Sequence, residues 1–219
     1  QGLGFSYPGL VVEMAASVLT AGTATMIDGR ATVDILLAHD GMAVEGCSLA
    51  SLLAGRNVAL IGDELIQFAA VEQLGPRRVR LSTLLRGRRG TEPAMAGHAA
   101  GERFILIEPS QMISTPIAIE RLGVTMRVRA ASAGASPDSG PDVGAIVDGR
   151  FLRPLAPAFL KAHRDEAGDV LIQWVRRDRT QWGWLDGSDA GTEAGYRYRL
   201  RLVPAGGAER VATVDGPAF

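Results

Sequence analysis

Lysine is almost missing from this chain. Lys161 is one of 23 basic residues, and the rest are arginine. Heavy use of Ala and Gly accompanies this, as expected of a GC-rich bacterial genome, so the arginine count alone says little about phosphate binding. A surplus of either charge is missing too: 23 basic residues face 24 acidic ones, for a net charge of -1. That argues against a protein that coats DNA, because neutralising phosphates wants a basic excess. No uncharged apolar run approaches the ~20 residues of a membrane-spanning helix, so no membrane span is expected. Cys47 is the single cysteine. It excludes an internal disulfide, there is no CxxC or Cys/His zinc spacing, and an inert buried thiol is expected. His39, His98 and His163 are scattered, and none belongs to an HExxH pattern. No metal or other cofactor is called for. No secretory leader pattern is visible. A start at Gln1 reads as an excised fragment or processed product of a longer protein.

Apolar material is plentiful. At 47% hydrophobic residues the chain has enough to offset the entropy of ordering, which excludes a disordered class. Its 219 residues allow one large domain or two small ones. Residues 1–30 are Gly-rich, and Val11 to Leu19 fits a short helix or a strand equally well. Thr32 to Leu37 is β-branched and apolar and predicts a strand. Ser48 to Ala54 predicts a short helix, with a serine N-cap, leucines at 49, 52 and 53, and Gly55 as the stop. Two apolar runs, Asn57 to Ile61 and Glu64 to Ala69, flank Gly62-Asp63 and predict a β-hairpin. Val79 to Leu85 and Arg103 to Ile107 predict two more strands. Thr91 is a candidate cap for a short helix over Glu92 to Gly97, with Pro93 in its first turn.

Val124 to Ala130 alternates strictly, which predicts a strand burying its valines and methionine and wetting its arginines. Asp142 to Arg150 is a candidate return strand. Pro154 and Pro157 favour an extended linker. Beyond it, Ala158 to Arg164, Asp169 to Arg176, Tyr196 to Val203 and Glu209 to Val214 read as four strands. Short strands, Gly/Pro/Asp turns and little helix predict an all-β (mainly β) chain with one or two short helices. The change of character near the prolines divides it into a β-rich domain over 1–152 and a second module over 153–219.

Several strings resemble a known family. Asn57 to Phe68 is followed by Leu84-Leu85-Arg86-Gly87-Arg88-Arg89-Gly90-Thr91-Glu92, then His98 and Gly101. Leu19 to Thr25, Ala31 to Asp34, Leu152 to Pro157 and Trp174 to Arg179 add to these. Together they resemble the C-terminal region of the large tail-tip (host-specificity, or "megatron") proteins of alphaproteobacterial gene transfer agents and related siphophages. The resemblance covers roughly residues 17 to 219, and the Leu-Leu-Arg-Gly-Arg-Arg-Gly-Thr string is its most specific part. It implies a virion structural protein at the distal end of a phage-like tail, assembled in the bacterial cytoplasm and acting at the recipient cell surface. It implies tail-tip and hub subunits as partners, and a parent protein that is a homotrimer around the tail axis. It also implies that the last segment is a fibronectin type III-like β-sandwich module. Only about four strands are present, where such a sandwich has about seven, so the module is expected to be partial.

Candidate site residues are few. Arg86, Arg88 and Arg89, set among glycines, suit either an anion site or structural ion pairs with Glu64 or Glu92. Asp63 and Glu64 are adjacent, so on a strand they point to opposite faces and cannot flank one glycosidic bond. Asp63 reads as a turn residue. His98 reads as a structural histidine bonding a loop carbonyl, since no GxSxG-type nucleophile accompanies it. Trp182 and Trp184, around a glycine and followed by Asp186, form the best ligand candidate, with sugar stacking weighed against a role in the module's core. Trp174, in an apolar strand, is expected in the core. Arginines 127 and 129, and 197, 199 and 201, suit an acidic envelope polysaccharide or plain solvated strand faces. The overall expectation is a non-enzymatic structural tail-tip component serving assembly and attachment, with bacterial surface polysaccharide as a candidate partner and no sequence-specific nucleic acid. The alternatives are a carbohydrate-binding module and, behind it, a hydrolase of envelope glycan or peptide.

Overall fold

The computed structural model describes residues 10–11, 13–15, 18–108, 116–129, 131–177 and 197–216. The chain is mainly β and antiparallel throughout. Strands β1 (Leu10–Val11), β2 (Glu13–Ala15), β3 (Val33–Leu36), β4 (Val58–Ile61), β5 (Glu64–Gly75), β6 (Arg78–Leu85) and β7 (Phe104–Leu106) form one sheet in the order β1-β7-β4-β5-β6-β3-β2. Strands β1 and β2 are separated by a single residue and pair with opposite edges of that sheet. One stretch of chain therefore joins the two edges and closes the sheet into a small barrel, which removes the edges that invite aggregation. The ambiguous stretch from Val11 to Leu19 thus contributes strand, not helix, at Glu13–Ala15.

The barrel interior follows from period-2 alternation. Val33 and Ile35, Ala59 and Ile61, Ile66 and Phe68, Val79 and Leu81 point inward and are fully or almost fully buried, with Phe104 and Leu84 beside them. The hairpin at Gly62-Asp63 is present, with Ile61 opposite Glu64. Helix α1 (Leu49–Leu53) starts where the sequence signals it. Ser48 caps it by accepting from the Ser51 amide at 3.2 Å, and Gly55 at φ +100° ends it. Its Leu52 packs fully buried against the outside of the barrel. Cys47 is half-buried, its Sγ 3.6 Å from the Phe68 carbonyl, and burial pushes its thiol above the ordinary range.

On the outer face of the barrel, Asp34 is almost fully buried between two arginines. Arg80 Nε and Nη2 donate to it at 2.7 and 3.2 Å, and Arg78 Nη2 donates at 3.0 Å. The Arg80 hydrogen bonds lead in holding its carboxyl below the ordinary value of 3.8, with Arg78 adding and burial opposing. A depressed folded-state pKa gives stability that is present above the unfolded value and lost as pH falls through the folded one. Asp34→Asn is therefore expected to destabilise the chain by about 1–2 kcal/mol at neutral pH, since charged hydrogen bonds count for more than neutral ones but both arginines are half in solvent. In urea titrations the gap from wild type should close as pH falls below 3.8. A gap that is constant with pH would mean that the carboxylate charge is not what stabilises.

After the barrel, β8 (Thr125–Arg129) and β9 (Asp142–Ile146) form an isolated hairpin. Here the expected burial pattern is wrong. Val128 is 60% exposed and Val143 opposite it 63%, so the valines of the apolar face are open and only Met126 is half-buried. The alternation is genuine, but among the described residues no second layer covers it. Arg129 is engaged on the other face, bonding Asp142 through Nε at 2.7 Å and Asp138 through Nη1 at 2.5 Å, and Arg127 reaches Asp142 at 3.3 Å.

The last described strands are β10 (Ala158–Arg164) paired with β11 (Val170–Val175), and β12 (Arg197–Leu202) paired with β13 (Arg210–Asp215). The two pairs meet where Trp174 and Tyr198 pack edge to face, ring centroids 4.9 Å apart. Trp174 is buried, with Ile172 and Ala158 beside it in this smaller core.

Candidate functional site

Period 2 places Glu64 on the same face of β5 as Ile66 and Phe68, so its carboxylate enters the barrel interior at one end. It is fully buried. A buried carboxylate demands partners, and the chain supplies them from three segments. Arg86, two residues beyond the core residue Leu84, turns in at the same end and is also fully buried. Its Nε and Nη2 each donate to Glu64 at 2.8 Å, a bidentate pair. The Gly87 amide adds a third bond at 2.7 Å. His98 Nε2 lies 2.7 Å from the other Glu64 oxygen, and His98 Nδ1 lies 2.6 Å from Glu102. Arg86 Nη1 donates to the Thr20 carbonyl at 2.8 Å and has Asp28 at 3.6 Å.

This overturns the expectation for His98. Its partners are two carboxylates, not a loop carbonyl. Each ring nitrogen faces a carboxylate oxygen, one of Glu64 and one of Glu102. A ring engaged on both nitrogens has none directed at a substrate. Asp63 is exposed at the hairpin turn while Glu64 is buried. Asp63, His98, Glu102 and Arg103 line one open cleft of about 600 Å³ beside the barrel end. Among the described residues no three of His, Cys, Asp and Glu gather so as to hold a metal ion.

The other arginines of the string go elsewhere. Arg88, itself buried, donates from Nε to Gln67 Oε1 at 2.6 Å. Gln67 lies on the outer face of β5, under α1, and donates to the Leu52 and Arg56 carbonyls at 2.8 and 2.9 Å. It thus binds the C-terminal end of α1, adding a second donor to the Leu52 carbonyl that also takes the Gly55 amide at 3.0 Å. Burial, then the charges of Arg177 and Arg89, pull the Arg88 guanidinium down to about 10, so it stays charged at neutral pH. Arg89 stands at φ +55°, half-buried, next to Gly90. Gln67 was missed by sequence reasoning. Its signal was a polar residue set between Ile66 and Phe68 on a strand that is buried on both faces.

Thr91 also departs from expectation. It does not cap the following turn, which is a 3-10 turn over Glu92–Ala94. Its hydroxyl instead accepts from the Leu65 amide at 3.0 Å and donates to the Arg88 carbonyl at 2.8 Å. Next to it, Glu92 accepts from Arg177 Nη1 at 2.6 Å, and the same atom reaches the Ala156 carbonyl at 3.4 Å. The string from Arg86 to Glu92 therefore closes the barrel end, seats α1, and ties the C-terminal strands to the barrel. Chemically it is a brace: Arg86 pairs with Glu64, Glu92 with Arg177, and Arg88 bonds the neutral amide of Gln67. Trp182, Trp184 and Asp186 lie outside the described residues.

Residues 11–105 match a family model described as Rcc01698-like, C-terminal. The match begins in β1 and ends in β7, so what is similar to that family is the closed barrel with its Glu64 centre. No curated protein matches the chain. Among the described residues no helix is long and apolar enough to cross a membrane.

Proposed function

We propose that this chain is a non-enzymatic structural component of the tip of a phage-like tail, of the gene transfer agent or siphophage kind, serving assembly and attachment to the recipient cell. The observation that carries this reading is the use made of its most specific string. Arg86, Arg88, Thr91 and Glu92 each bind another part of the same chain: Glu64, Gln67, the Leu65 amide and Arg177. Residues placed to fix one barrel end and the next module onto it suit a part that transmits load between neighbours. The resemblance of these strings to tail-tip proteins supports a place at the distal end of the tail. In this reading the parent protein is a trimer around the tail axis, and β10 to β13 belong to a partial fibronectin type III-like module.

The test is antibody labelling of particles from a producing strain, viewed by negative-stain electron microscopy. An antibody raised against residues 18–108 should mark the distal end of the tail. Label on the capsid, along the tail shaft, or only on free protein overturns the reading.

A hydrolase reading draws on the cleft shared by Asp63, His98 and Glu102. It would need His98 to leave one of its two carboxylate partners.

A further inference from the structure

Strand β6 changes face partway along its length. Val79 and Leu81 belong to the buried core, a set that period 2 would continue at Thr83 and Leu85. Instead Thr83 is only half-buried, Leu84 takes the core position, and Leu85 pairs with Gln67 on the outer face. Arg86, which unbroken alternation would turn outward, therefore turns inward to Glu64. The break falls at Thr83, whose φ is +57°. Glycine takes that left-handed conformation freely, but for a β-branched residue it is a costly outlier. Strain of this kind persists only where the surrounding structure over-determines it.

The contacts on both sides of Thr83 do this. On one side, β6 runs beside β3 as far as the pair of Leu81 with Val33. Beyond the break Leu84 pairs with Asp28 instead, with amide-to-carbonyl bonds of 2.7 and 2.9 Å. The Asp28 carboxylate then lies 3.6 Å from Arg86 Nη1. On the other side, Ala70 pairs with Ser82 and Phe68 with Leu84, but Ala69 and Thr83 between them are outside the ladder. The Ala69 carbonyl accepts from the Cys47 amide at 2.8 Å, one residue before the Ser48 cap of α1. Strand β5 changes face at the same level, from Phe68 to Val71, with no left-handed residue of its own. We infer that Thr83 is a conformational device built into β6, a left-handed pivot that sets the phase of the strand. It delivers Arg86 to Glu64 and leaves the Ala69 carbonyl to the segment that leads into α1. An ordinary extended residue at this position would present Arg86 to the outside and leave Glu64 buried without its main counter-charge. The inference does not depend on the tail-tip reading, since it concerns only how the barrel holds its buried charges.

The test begins with urea unfolding of the full 219-residue chain carrying Thr83→Gly or Thr83→Ala. In a left-handed position glycine is the better residue, so Thr83→Gly should have the larger folding equilibrium constant, by about 5–30-fold. In an ordinary strand the order reverses, because glycine there is less stable than alanine. The effect on Arg86 is read by nuclear magnetic resonance, from its Nε–H signal, which burial and the bond to Glu64 protect from exchange with water. Thr83→Gly should keep that protected signal. Thr83→Pro, whose ring holds φ near about −65°, should lose it, whether β6 changes phase or the chain unfolds. The inference fails if Thr83→Ala is as stable as Thr83→Gly or more so, if Thr83→Gly loses the Arg86 signal, or if Thr83→Pro keeps it.

Discussion

Arg86→Met is expected to destabilise the barrel by about 3–5 kcal/mol, because it leaves a buried carboxylate without its main counter-charge. Glu64 would keep the Gly87 amide and His98 but lose two bidentate bonds of 2.8 Å. Glu64→Leu alone should cost a similar amount, since it strands the fully buried Arg86. The double variant removes both charges and refills the site with apolar volume. It should be clearly more stable than the sum of the single variants implies, with a coupling of about 1–3 kcal/mol. Recovery stays partial because Asp28, the Thr20 carbonyl and His98 are partners in the same network. Urea titration followed by far-ultraviolet circular dichroism measures this, with the slope checked for constancy. Additive losses would show that Arg86 and Glu64 do not depend on each other, and would remove the brace from the account.

Gly87→Ala should cost about 2–5 kcal/mol. Gly87 sits at φ +56°, where a residue with a Cβ pays about 1–2 kcal/mol. The space is filled as well. A Cβ there would lie 2.7 Å from Met95 Sδ, 2.9 Å from Glu92 Cγ and 3.1 Å from Glu92 Cα. The sulfur can swing away, but the Glu92 backbone cannot move without disturbing the bond to Arg177, and overpacking adds about 1–3 kcal/mol. Gly101→Ala is the control. Its φ is +85°, but nothing lies within 4 Å of the added Cβ, so only the conformational cost of about 1–2 kcal/mol should appear. Equal losses at the two positions would mean that backbone strain is the whole effect and the close packing around Gly87 contributes nothing.

Both predictions concern a centre that the sequence disclosed only in part. Arg86 could be paired with Glu64 or with an outside anion on the strength of residue types alone. Its choice rests on β5 and β6 lying side by side, which brings together residues 22 positions apart. His98 reaches Glu64 across 34 positions and Arg177 reaches Glu92 across 85, distances over which no local pattern reports. Thr91 read as a cap because of its neighbours in sequence. It is used across the barrel because the Leu65 amide lies within reach and needs an acceptor. The valine face of β8 shows the opposite failure. Alternation declares which residues share a face, but not whether anything is packed against that face.

The amino-acid sequence by itself determined the all-β class, the helix at Leu49–Leu53 and the Gly62-Asp63 hairpin. These follow from caps, turn residues and period-2 burial, each set within a few neighbouring residues. Tertiary structure alone decided the inward set of the barrel strands, the closure of the sheet by residues 10–11 and 13–15, the partners of Arg86 and Arg88 and the two carboxylates around His98. The physical reason is that a buried charge is stabilised by whichever opposite charge and donor the fold carries to it, and that juxtaposition is a property of strand order and register, not of spacing along the chain.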